Sequence, residues 1–119
     1  MPTSDEFLTY IADQFAFFRP VQIRRMFGSS GIFCDGIMFG LIADDAVYLK
    51  SGVENLDDFE QENMPPFTYE GKNKPIKMSY HRLPDQILED AEELAQWAQK
   101  AFNVARVAKS KKPTRKKKA

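Results

Sequence analysis

Phe7, Leu8, Ile11, Phe15 and Phe18 recur at the spacing of one helical face, with polar residues between them. This pattern predicts an opening amphipathic helix. Thr3-Ser4-Asp5-Glu6 ahead of it reads as a capping box, with the Thr3 hydroxyl accepting from an amide three residues on and Glu6 reaching back. The helix must stop near Arg19, because Pro20 disfavours helical backbone in its predecessor. Beyond it the period changes. Residues 21–27 read as a strand interrupted by Arg24 and Arg25, and Gly28-Ser29-Ser30-Gly31 as a turn cluster. Residues 32–34 and 37–43 flank Asp35-Gly36, a dipeptide that supplies the positive backbone angles of a two-residue hairpin turn. Asp44-Asp45 then turns the chain into a strand over 47–50, so that the region is a meander.

Ser51 with Glu54 reads as a second capping box, opening a short helix whose Leu56 and Phe59 dock while Glu54, Asp57, Asp58, Glu60 and Glu62 stay in water. Met64-Pro65-Pro66 ends it. Residues 67–70 and 76–80 flank the polar turn Gly71-Lys72-Asn73-Lys74 and predict a second hairpin, with Ile76, Met78 and Tyr80 on one face. Pro84 is placed to start a short helix, and Asp90 with Glu93 to cap a long one. Along that last helix Ala91, Leu94, Ala95, Ala98, Ala101, Phe102 and Ala105 trace a stripe of small residues, with Trp97 beside it, which predicts close packing on a sheet. The expected fold is α+β: two layers, a mainly antiparallel sheet of about five to six strands, and N-terminal and C-terminal helices on one face. The other face is left for a partner or a second copy.

Met26-Phe27-Gly28 returns as Met38-Phe39-Gly40 across the Asp35-Gly36 turn. Downstream stand Tyr48-Leu49-Lys50, Pro66-Phe67-Thr68-Tyr69 and Met78-Ser79-Tyr80-His81-Arg82-Leu83-Pro84. In order and spacing these blocks resemble the N-terminal domain of the TfoX/Sxy family, bacterial regulators of natural competence, from about Thr3 to Phe102. The resemblance implies the same α+β architecture. It also implies a regulatory role, because the best-known members act as coactivators of competence genes together with the cyclic-AMP receptor protein at its target promoters. Such proteins usually carry a second, C-terminal domain. Here the expectation is a stand-alone form, with residues 1–105 as the domain and 106–119 as a disordered lysine-rich tail. Related sequences commonly have Gly-Gly after the first Met-Phe, so Ser29 is a small departure in that loop.

At 119 residues the chain is sized for one domain and one two-layer core. No window approaches the run of about eighteen apolar residues that a membrane span needs. The start, Met-Pro-Thr-Ser-Asp-Glu, is acidic, unlike a signal segment. One cysteine, Cys34, cannot close an internal disulfide and fits a reducing compartment. The expected location is therefore the cytoplasm. The net charge of zero conceals a division: all 17 acidic residues precede Arg106, while eight basic residues and no acid lie from Arg106 onward. An acidic globule carries a cationic extension, which has the composition of a polyanion-binding or solubilising segment.

Candidate chemistry is sparse. Cys34 as a nucleophile would need a base, and His81 is the single histidine; a lone strand cysteine is more often a small buried hydrophobe. One Cys and one His do not make a zinc site. Asp44-Asp45 and Asp57-Asp58 read as solvated carboxylates. Gly28-Ser29-Ser30-Gly31 lacks both the phosphate-loop pattern and a following helix. An aromatic platform from Phe27, Phe33, Phe39, Tyr48, Phe67, Tyr69 and Tyr80 would need a basic groove for nucleic acid, and alternating strand aromatics are usually core. The expectation is a non-enzymatic protein without cofactor or metal. Its candidate partner contacts are Arg24, Arg25 and Arg82, which pairing with acidic loops would equally explain. Lys109, Lys111, Lys112, Arg115, Lys116, Lys117 and Lys118 are candidates for weak, sequence-independent contact with nucleic-acid phosphates. The rival expectation is a dimeric interaction or chaperone-like module unrelated to transcription.

Overall fold

The first helix, α1 (Asp5–Phe15), is capped by Ser4, to whose hydroxyl the Phe7 amide donates at 3.2 Å. The cap therefore sits one residue later than the capping box read from Thr3. Burial of Ile11 and Phe15 docks α1 through its apolar face. The computed structural model describes the backbone of residues 4–26, 29–70 and 75–117, and their side chains except those of 69, 70, 75–77 and 110–117. Thr3, Phe27, Gly28, the turn Gly71-Lys72-Asn73-Lys74 and Lys118 lie outside the described residues, as do the side chains of Tyr69, Ile76, Lys111, Lys112, Arg115, Lys116 and Lys117.

Six strands follow: β1 (Gln22–Met26), β2 (Ser29–Cys34), β3 (Ile37–Ala43), β4 (Ala46–Lys50), β5 (Pro66–Glu70) and β6 (Pro75–Arg82). They form one open sheet in the order β1-β2-β3-β4-β6-β5, with each neighbouring pair antiparallel. Asp35 and Gly36, at φ 53° and 77°, make the tight turn between β2 and β3. Asp44 and Asp45, at φ 52° and 61°, repeat it between β3 and β4. Aspartate is among the few non-glycine residues that tolerate this left-handed backbone, so the second turn needs no glycine.

Two segments depart from the sequence expectations. Ser29, Ser30 and Gly31 are not a turn: they pair with Met26, Arg25 and Arg24 in β2. A Cβ on Gly31 would stand 2.8 Å from Phe33 Cε1, so the glycine serves close packing in a strand. Ser51 does not cap a helix either. The short helix α2 (Leu56–Gln61) begins after Asn55, and Ser51 is held in the loop before it. The last helix, α4, spans Ala91–Lys117. Residues 106–109 are all exposed. Over residues 106–109 the helix therefore rests on propagation from a docked start.

The second Met-Phe-Gly block has a structural reason. Phe33 pairs with Met38 and Ile32 with Gly40, leaving Phe39 without a partner as a β-bulge. The bulge turns Phe39 toward the helices, where it is fully buried. There it meets Phe15 edge-on at 5.7 Å, Phe18 at 5.7 Å and Phe102 at 6.0 Å. Gly40 lies on the same side, where a Cβ would come within 3.1 Å of Ile32 Cδ1 and 3.2 Å of the Tyr48 carbonyl oxygen. The main core is thus one sheet face covered by α1, α2 and α4, with Leu94, Ala98, Ala101, Phe102 and Ala105 supplying the close-packed helix stripe. The short α3 (Asp85–Leu88), capped by Pro84, leads into α4, whose Glu93 amide donates to Asp90 Oδ1 at 3.2 Å. The outer face carries a smaller cluster: Leu41, Ala43 and Tyr80 are buried under half-buried Met38, Tyr48, Phe67 and Met78.

Candidate partner-binding site

Where α4 leaves the sheet, it crosses the loop that follows β4. This loop is tightly stitched. Buried Asn55 donates through Nδ2 to the Lys50 carbonyl at 3.0 Å and accepts from the Gly52 amide at 2.9 Å. The Ser51 amide donates to the Ser79 carbonyl at 3.0 Å, and Ser51 Oγ is hydrogen-bonded to His81 Nδ1 at 2.7 Å. The His81 ring stacks on buried Phe59 at 5.3 Å, and Phe59 meets Trp97 edge-on at 5.2 Å. A Cβ on Gly52 would lie 2.8 Å from Val104 Cγ1, so the bare glycine lets helix and loop touch. Val53, at the next position, is fully exposed, and Val107 is 48% exposed.

Two open grooves flank this turn of α4. One, of about 380 Å³, is lined by Val53, Glu54, Val104, Val107 and Ala108. The other, of about 340 Å³, is lined by Met38, Lys50, Tyr80, Ala105, Ala108 and Lys109. Lys50 Nζ stands 5.2 Å over the Tyr80 ring, and burial raises the Tyr80 phenol above its ordinary pKa. The corner therefore combines apolar walls with the ammonium groups of Lys50 and Lys109.

The three candidate arginines are not brought together. Arg24 lies over the Phe33 ring at 5.1 Å on the outer face. Its neighbour Arg25 is turned the other way and pairs with Asp5 of α1. Arg82 reaches Asp85 at 3.5 Å, on a strand separated from β1 by β2, β3 and β4. Two of the three are thus tied into local ion pairs. Cys34 is buried at the end of β2, and β3 and β4 separate it from His81 on β6. Three strand spacings put about 14 Å between the two strands, so these residues do not form a thiol–imidazole pair. Asp57 is exposed, whereas Asp58 pairs with Lys100 at 2.9 Å. Among the described residues no three His, Cys, Asp or Glu side chains gather as metal ligands would, and no helix is long and apolar enough to cross a membrane.

The sequence match agrees with this fold. The family model of the TfoX N-terminal domain matches residues 13–105. The chain belongs to that family. Comparison with curated proteins gives no match. Of the blocks that suggested a TfoX-type domain, Met38, Phe39 and Gly40 form the bulged strand at the core, and Asp35 and Gly36 make its turn. Pro66, Phe67, Met78, Ser79 and Tyr80 lie in the β5–β6 hairpin, while Leu83 and Pro84, both buried, lead into α3. Met26 ends the exposed edge strand. Sequence reasoning missed Val53, Val107 and Arg19. Arg19 pairs with Asp35 at 2.9 Å, stands 5.2 Å over the Phe102 ring and approaches Cys34 Sγ at 4.0 Å. Its position before Pro20 signalled only a helix end. An isolated valine beside Gly52 carried no local signal at all.

Proposed function

We propose that this TfoX-type domain is a non-enzymatic transcriptional regulator, acting in the cytoplasm through protein contact. The observation that carries the reading is membership of the TfoX N-terminal domain family over residues 13–105. Exposed Val53 and half-exposed Val107 line one groove with Val104 and Ala108, and this apolar surface supports protein contact as the mode of action. The eight basic residues from Arg106 onward add weak, sequence-independent attraction to DNA. The globule, with seventeen acids against nine bases, opposes it.

The rival reading, a dimeric or chaperone-like module, draws on the outer sheet face, where Met38, Tyr48, Phe67 and Met78 are only half-buried. Transcript profiling separates the two. Induction of the full chain in cells lacking it should change a defined set of transcripts. An unchanged transcript profile, with stoichiometric co-purification of one non-transcriptional client, would replace the regulator by the module.

A further inference from the structure

The corner where α4 leaves the sheet has two properties that together select one kind of occupant. Its walls are apolar: fully exposed Val53, half-exposed Val107, Val104, Ala108 and Met38. Its charges are mostly positive. Lys50 and Lys109 line one groove, and Glu54 is the single carboxylate among the described lining residues of the two. The chain that continues from this turn has eight basic and no acidic residues from Arg106 to Ala119.

We infer that this corner binds an acidic amphipathic segment of a protein partner, its apolar side chains seated against Val53 and Val107 and its carboxylates facing Lys50 and Lys109. The inference rests on the protein-contact reading above and names the partner's chemistry. Two alternatives fit less well. A second copy related by a two-fold axis would set these cations against themselves, and like charges across an interface oppose association. Duplex DNA would satisfy the lysines but offers no apolar side chain to the valines. An amphipathic helix laid in a groove uses both features at once.

The test is fluorescence anisotropy with the full chain and a labelled synthetic helix of about fourteen residues, long enough to hold helical structure on docking. It carries Leu at one face and Glu elsewhere. Companion probes replace Leu by Ser, Glu by Lys, or the peptide by duplex DNA. The Leu/Glu peptide should bind saturably, and both altered peptides should bind about tenfold more weakly or worse. Val53→Asp with Val107→Asp should weaken the Leu/Glu peptide by about tenfold or more; both positions are solvent-facing, so the fold is retained. Lys109→Glu should weaken binding and flatten its salt dependence.

No binding below about 1 mM peptide, equal binding of the Ser peptide, or indifference to the paired Asp substitutions would each overturn the proposal. So would duplex DNA binding more tightly than the peptide and being lost in the Val53/Val107 variant, which would assign the corner to nucleic acid. A failed peptide titration beside an intact transcript response removes the acidic-segment inference alone. A lost transcript response removes the broader reading.

Discussion

Gly40 is constrained by backbone as well as by side chains. Because Phe39 is bulged toward the core, the next residue faces the same way, and a Cβ there would lie 3.2 Å from the Tyr48 carbonyl oxygen, a backbone atom that cannot rotate aside. Gly40→Ala should therefore destabilise by about 1–3 kcal/mol, the usual range for overpacking, as read by urea unfolding. A change below about 0.5 kcal/mol would show that the strands give way easily. Tyr80 supplies a second residue-scale prediction. Burial raises its pKa above 10.0 in the folded chain, so the unfolded chain loses the phenol proton first. The native state then holds more protons, and stability is fully present below the unfolded pKa and falls as pH rises through the folded one. Tyr80→Phe should flatten the alkaline fall in unfolding free energy. An identical fall in both proteins would contradict it.

At the scale of elements, one amide side chain ties the two ends of the loop between β4 and α2 together. Asn55 bridges the Lys50 carbonyl and the Gly52 amide, so Asn55→Ala leaves both backbone groups short of a partner. We expect a loss of about 2 kcal/mol, with faster hydrogen exchange at residues 51–55. Unchanged exchange there would show that the loop is held by the Ser51–His81 bond instead. The helix register, the two aspartate hairpin turns and the cap at Asp90 were legible in the sequence, because each depends on residues within a few positions of one another. Less local features were not. Gly31 read as a turn residue because its reason is the crowding of Phe33, Met26 and Met38 across the strands. Ser51 read as a cap because its partner, His81, is thirty residues away in sequence. The corner at Val53 was invisible, since it exists only where α4 passes Gly52.

For the whole molecule, the division of charge and the division of packing nearly coincide. Among the described residues the last buried one is Ala105, and the basic run begins at Arg106. A form ending at Ala105 should therefore unfold cooperatively, with a midpoint within a few degrees of the full chain, while losing helical circular dichroism from the removed extension. A collapse of cooperativity would show that the last turns of α4 stabilise the globule. The central claim is that the TfoX-type domain acts through a protein contact made at the α4 corner. The most direct measurement is the transcript response to the Val53→Asp/Val107→Asp chain, with thermal unfolding recorded on the same protein. The double variant should keep a wild-type unfolding midpoint and lose most of the response. An undiminished response from a folded, expressed double variant would contradict it.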